Sequence, residues 1–147
     1  MKTLLVHRQA RFEYEPLESF LAGIILSGGE VKMLRLKHGS LSGSHVRVIG
    51  DEVWLLNAQI PPYPYARIEN YDPKQTRKLL LGKHEILKLK EAQQEKGKAI
   101  IPLEVVLAGK YIKVKIAIAR GKSQADRRAA IRKRDLERET ARELQRV

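Results

Sequence analysis

Residues 99–120 read Ala99-Ile100-Ile101-Pro102-Leu103-Glu104-Val105-Val106-Leu107-Ala108-Gly109-Lys110-Tyr111-Ile112-Lys113-Val114-Lys115-Ile116-Ala117-Ile118-Ala119-Arg120. Two runs rich in β-branched residues flank Ala108-Gly109-Lys110, a turn sequence, so the stretch is a β-hairpin. In the second run Ile112, Val114, Ile116 and Ile118 alternate with Tyr111, Lys113 and Lys115. Successive side chains of a strand point to opposite faces, so one face is aliphatic and the other basic and aromatic. Pro102 donates no ladder hydrogen bond, which places the first strand at an edge or a bulge. The stretch predicts an antiparallel sheet with one buried face and one wet face.

Upstream, residues 44–50 and 53–60 form a second hairpin around Gly50-Asp51-Glu52. Pro61-Pro62-Tyr63-Pro64-Tyr65 cannot continue a central strand, and residues 61–75 read as an irregular loop. A helical region follows from Thr76 to about Glu95, with Leu80, Ile86, Leu87 and Leu89 available for packing and Gly82 able to split it. Near the start, Ala10, Phe12 and Tyr14 alternate with Arg11 and Glu13, which predicts a strand over 8–14. Pro16 suits the first turn of a short helix over 17–22, closed by Gly23, and Ile24-Ile25-Leu26 reads as a brief strand. After Gly28-Gly29, residues 30–37 read as helix, with Glu30 in the first turn and Lys37 in the last, and Gly39 as the stop. Roughly six strands with no alternating βαβ rhythm predict a mainly β fold: a small antiparallel barrel with embedded short helices.

After Gly121 the composition changes. Residues 120–147 hold ten Lys/Arg against five Asp/Glu, no aromatic residue and few sizeable apolar side chains. Helix propensity is high, yet too little apolar surface is present to hold a helix onto a body. The division expected is a barrel domain over 1–120 and a basic tail over 121–147, disordered when free and helical when bound. As a helix the tail sets Arg134, Arg138, Arg142 and Arg146 at i+4 on one basic stripe, beside Asp135, Glu139 and Glu143.

The 147 residues carry 29 Lys+Arg and 17 Asp+Glu, a formal net charge of +12, with 43% hydrophobic residues. That is enough apolar material for a core, and a charge excess that points to a polyanion partner. Cysteine is absent, which removes disulfides, thiolate zinc sites and a cysteine nucleophile. The apolar run at the start is too short for a signal peptide and no stretch approaches a membrane span, so a cytoplasmic protein without a membrane partner is expected. Gly121-Lys122-Ser123 fails as a phosphate loop, because the position five before its glycine is Ile116. His7, His38, His45 and His84 form no i, i+4 pair, and neither a nucleophile elbow nor an acidic cluster is present. The expectation is no catalytic residue, no metal and no cofactor. Basic residues instead recur beside aromatic ones: Arg8 and Arg11 near Phe12 and Tyr14, Tyr63 and Tyr65 near Arg67, and Tyr111 beside Lys113 and Lys115. Cations contact phosphates and exposed rings stack on unpaired bases, so RNA is the expected ligand class.

An ordered series of motifs carries a family likeness: Arg8-Gln9-Ala10-Arg11-Phe12-Glu13-Tyr14, Ala22-Gly23-Ile24, Gly29-Glu30-Val31-Lys32-Met33-Leu34-Arg35, Thr76-Arg77-Lys78-Leu79-Leu80-Leu81, Val114-Lys115-Ile116, Ala119-Arg120-Gly121-Lys122 and Asp126-Arg127-Arg128. Over residues 8–128 the chain resembles the small protein B (SmpB) family, the bacterial partners of transfer-messenger RNA (tmRNA). The resemblance implies a barrel related to the oligonucleotide-binding fold. It further implies binding to the tRNA-like part of tmRNA, delivery of that RNA to stalled ribosomes for trans-translation, and a C-terminal tail that occupies the decoding centre and the empty mRNA channel. Departures from the usual motifs fall at His7, Gln9, Phe12, Leu21, Met33 and Ala125, and the last removes any base stacking at its position.

The RNA-binding candidates on the body are Arg11, Tyr14, Glu30, Lys32, Arg35, Arg77, Lys78, Leu81, Lys113 and Lys115. Tyr14 reads equally as a core or rim aromatic, Glu30 as a complement to a helix N-terminus, Leu81 as core, and Arg35, Lys113 and Lys115 as a solvated face. The ribosome-binding candidates on the tail are Gly121, Lys122, Asp126, Arg127, Arg128, Arg134, Arg138 and Arg142. The expected partners are tmRNA and the ribosome, with the protein itself a monomer. Two rival readings are a basic structural ribosomal protein and a nuclease acting on RNA.

Overall fold

The computed structural model describes residues 1–66 and 68–145, without the side chains of 124–127, 130 and 143–145. In chain order the elements are β1 (Lys2–Val6), α1 (Arg8–Glu13), β2 (Tyr14–Ile24), α2 (Gly28–Arg35), β3 (His45–Ile49), β4 (Glu52–Leu56), β5 (Arg77–Leu80), α3 (Lys83–Gln94), β6 (Lys98–Ala108), β7 (Tyr111–Gly121) and α4 (Gln124–Gln145). The seven strands form one antiparallel sheet in the order β1-β6-β3-β4-β5-β2-β7, and pairing of β6 with β7 closes it into a ring. Closure through β6 and β7 hides most of the hydrogen-bonding edge that an open sheet would expose, leaving β1 as an edge strand on β6.

The β6–β7 hairpin is the spine of this ring. It turns through Gly109, whose φ of +61° favours glycine, and its inward side chains Ile112, Val114, Ile116 and Ile118 are buried. A register shift between Pro102 and Glu104 forms a bulge at the proline, which therefore leaves no donor missing from the ladder. Val53, Leu55 and Leu79 meet the hairpin from across the barrel, with Leu34 of α2 and Leu89 of α3 in the same core. Outside the barrel, Ala10 of α1 packs on Ile101, Leu103, Ala117 and Ala119. The two alanines leave room for a helix on what is otherwise the wet face of β7.

Four local readings are corrected. The stretch over 8–14 is helix through Glu13, because its burial needs only Ala10 against the sheet; three alternating apolar residues do not separate that pattern from a strand. Residues 17–22 are strand, not helix. Phe20 and Ala22 point inward in β2, while Leu17 and Leu21 face out and mask the alternation. The region 76–95 divides: Arg77–Leu80 is β5, and Gly82 caps α3. Residues 2–6, read only as a short apolar run, form β1 on the edge of β6. The mainly β barrel with embedded helices and the two hairpins stand as expected.

Candidate nucleic-acid interface

The outward face of β7, β2 and β5 is built by register. Lys115 of β7 lies opposite Leu21 of β2, Lys113 lies opposite Gly23, and Gly23 in turn lies opposite Leu80 of β5. Paired residues share a face, so these side chains occupy one continuous surface. Leu80 is 51% exposed and Leu21 41%, beside Ile25 at 54%. A β-carbon on Gly23 would come within 3.3 Å of the Leu80 Cβ, so the glycine is what lets Leu80 lie close over β2. Exposed apolar side chains ringed by lysines form a surface suited to the sugar edges and bases of RNA, with its phosphates on the ammonium groups. At one end Glu104, the register partner of Lys115, also holds Arg11 at 3.6 Å.

Of the leucine triplet, Leu79 is core and Leu81 packs partly buried against it, so Leu80 is the one that faces solvent. Leu81 is the candidate that the family motif singles out, whereas Leu80, Leu21 and Ile25 are the apolar residues that the structure exposes on this face. Strand alternation starting from a buried Arg77 is the signal that would have found Leu80.

Glu30 and Arg77 are buried at 4% and 3% exposure and pair with each other, with Arg77 Nε 2.5 Å from Glu30 Oε2. Neither presents its charge to a ligand on the surface. Ser27 and Glu30 form a reciprocal capping box at the start of α2: the Ser27 amide donates to the Glu30 carboxylate and the Glu30 amide to the Ser27 hydroxyl. Arg77 also donates to the carbonyls of Ala58 (2.7 Å), Pro73 (3.0 Å) and Gln75 (3.1 Å) and to the Tyr71 hydroxyl (3.1 Å). One buried pair thereby ties the irregular loop, α2 and β5 together. Burial pushes the Glu30 carboxyl upward, but the Ser27 amide and the Arg77 guanidinium outweigh it and hold the group below its ordinary value.

The remaining candidates separate spatially. Lys78 faces out and meets Glu52 at 3.6 Å. Lys32 and Arg35 are exposed on α2, and Lys32 lies 5.2 Å over the ring of Tyr63, which meets Tyr65 edge to face. Tyr14 is half-buried against the Ala10 cluster. Lys122 reaches back so that its Nζ donates to the Arg11 carbonyl at 2.9 Å. On the tail, the Arg134 guanidinium sits 5.7 Å over the Phe12 ring, and Arg8, Arg11, Phe12, Lys133, Arg134, Glu137 and Arg138 line a cleft between α1 and α4. Gly121 and Arg128 are exposed, as is Arg142 in the last turn of α4. The Asp126 and Arg127 side chains, with Arg67 and Arg146, lie outside the described residues. Among the described residues no group of three or more His, Cys, Asp or Glu side chains is placed to hold a metal, and no helix is long and apolar enough to cross a membrane.

Residues 4–146 match the family model described as SmpB protein. The SsrA-binding protein of Protochlamydia amoebophila (strain UWE25) is 46% identical over 132 residues, spanning 90% of this chain and 86% of that protein. That of Aquifex aeolicus (strain VF5) is 45% identical over 139 residues, spanning 94% and 88%. That of Chlamydia muridarum (strain MoPn / Nigg) is 40% identical over 146 residues, spanning 99% and 97%. Among solved structures, a chain of "tmRNA-SmpB: a journey to the center of the bacterial ribosome" aligns with a TM-score of 0.69 and 40% identity, covering 87% of this chain and 94% of that one.

Proposed function

The chain belongs to the SmpB protein family, and from that membership we propose that it binds the tRNA-like part of tmRNA and brings it to stalled ribosomes for trans-translation. The observation that carries this reading is the outward face of β7, β2 and β5, where Lys113 and Lys115 border the exposed Leu21 and Leu80. Its lysines neutralise phosphates and its apolar strip accepts the less polar parts of nucleotides, a division of labour common to RNA surfaces. The buried Glu30–Arg77 pair keeps β5, and with it Lys78 and Leu80, at the correct height in that face.

The protein is a binding factor without enzymatic activity of its own, and it works in the cytoplasm, where ribosomes translate. Residues 1–120 form the RNA-binding body and 121–147 the ribosome-binding tail, which enters the decoding centre and the empty mRNA channel. The tail is helical as α4 in the structure. We propose that this helix is disordered much of the time in the free protein and is fixed as ribosomal RNA attracts Arg134, Arg138 and Arg142, which i, i+4 spacing brings onto one stripe. Pairs such as Asp135–Arg138 and Glu139–Arg142 add only about 0.2–0.5 kcal/mol each, too little to hold the helix alone.

The test is to purify the full chain from its host and sequence the RNA that comes with it. Enrichment of tmRNA above all other RNAs supports the reading. Equimolar recovery with one ribosomal subunit would identify a structural ribosomal protein instead.

A further inference from the structure

We propose that Trp54 is a stacking platform for one unpaired base of the bound RNA, with Arg47 and Lys78 holding the adjoining phosphates; the proposal rests on the tmRNA-binding reading above. Val53 and Leu55 are buried at 1% and 2% exposure, so alternation along β4 turns Trp54 outward. Register places Arg47 of β3 directly opposite Trp54 on one side and Lys78 of β5 directly opposite on the other. Directly opposed residues have β-carbons about 4.5–5.5 Å apart, which makes the three side chains one row across three strands.

The indole is half-buried and Arg47 is exposed. Among the described residues, no ring and no cation is stacked on the indole. The Lys78 ammonium is engaged, among the described residues, by the exposed Glu52 at 3.6 Å, the sort of surface pair that yields readily to a phosphate. The row is continuous with the candidate interface, because the Ile25 amide donates to the Lys78 carbonyl at 3.0 Å. Ile25 thus links Lys78 to the Gly23–Leu80 strip.

The occupant is set by chemistry. An aromatic plane between two cations matches a base between two phosphates, and on a chain with a formal charge of +12 that complement is RNA. A paired base has no free face to offer, so the base in question is unpaired.

Trp54 is the sole tryptophan, which makes intrinsic fluorescence a direct reporter of this one position. The full chain is titrated with a transcript of the tRNA-like part of tmRNA, with a short oligoadenylate and with a blunt RNA duplex, and transcript binding is followed in parallel by gel shift. The platform predicts strong quenching by the transcript and the oligoadenylate and little by the duplex. It also predicts that Trp54→Leu weakens transcript binding roughly 10-fold, the loss of one stacked base, while Trp54→Phe retains most of the affinity. Arg47→Gln should make the salt dependence of transcript binding shallower, and this variant keeps the question open to test if Trp54→Leu fails to fold. Transcript bound by gel shift with fluorescence unchanged would overturn the platform and leave the tmRNA reading standing. Equal quenching by duplex would equally overturn it. No transcript binding at all would refute the tmRNA reading itself. Quenching by an apolar peptide but by none of the RNAs would assign the face to a protein partner and overturn the proposal.

Discussion

The Glu30 carboxylate and the Arg77 guanidinium stand 47 positions apart in the chain, yet they meet at 2.5 Å with both side chains buried. Their contact joins the capped start of α2 to the first residue of β5. Because Arg77 points inward, alternation sends Lys78 outward, Leu79 inward and Leu80 outward. The pair thus decides which residues of β5 face solvent.

Breaking this pair from one side should be costly. Glu30→Ala leaves a buried guanidinium without its counter-charge and should lower stability by about 3–5 kcal/mol. Removing both charges in Glu30→Ala/Arg77→Met should cost less than the sum of the single changes, because neither charge is then stranded. Urea unfolding of the four proteins checks this; strictly additive losses would show that the two groups do not act as a unit.

The same pair makes stability depend on acid. The Glu30 carboxyl is held below its ordinary value in the fold, so its contribution is fully present above the unfolded glutamate value of about 4.3 and is lost as pH falls through the lower folded value. The stability difference between the native chain and Glu30→Gln should therefore be constant near neutrality and shrink below about pH 4.3. Urea midpoints of both proteins over that range supply the comparison. A difference that grew with acid would reverse the sign and contradict the geometry.

Neighbouring leucines should separate binding from folding. Leu80→Ala removes an exposed side chain and should leave stability within about 0.5 kcal/mol of native while weakening RNA binding. Leu81→Ala removes a side chain packed against the core and should cost about 1–2 kcal/mol of stability, with RNA binding preserved in the folded fraction. Thermal melts and gel shifts on each variant decide between them.

How much of this was legible in the residues follows from the range of each interaction. The β6–β7 hairpin was readable because its alternation is uninterrupted from Tyr111 to Ile118 and its turn carries a glycine. The helix beginning near Glu30 was readable from local charge and glycine signals. The Glu30–Arg77 contact was not, since nothing within a dozen residues of either group names the other. β2 does not show as a strand in the sequence because Leu17 and Leu21 occupy outward positions, Leu21 on the candidate face. A strand that keeps apolar residues on its wet side for binding loses the pattern that would identify it as a strand. Motif-bearing residues lie on β5 and β7 of the candidate face, and solvent exposure separates Leu80 from Leu81.

The lysine face should show itself in salt dependence. Each phosphate neutralised contributes a log–log slope of about −0.7 to −0.9, so Lys113→Ala/Lys115→Ala should make the slope for tmRNA binding shallower by about 1.4–1.8. Affinity of the two proteins for the tRNA-like transcript over a range of salt concentrations gives the number. An unchanged slope would remove these lysines from the interface.

The central claim is that this chain couples tmRNA to a ribosome that has run off its message, and a reconstituted tagging reaction tests it most directly. Ribosomes translating an mRNA without a stop codon are supplied with charged tmRNA, in the absence of other SmpB proteins, with the full chain, with residues 1–120 alone, or with neither. The account predicts tag addition with the full chain and none without it. It also predicts that residues 1–120 bind tmRNA yet support no tagging. Tagging at the same level whether or not the full chain is present would contradict the account, as would none in its presence.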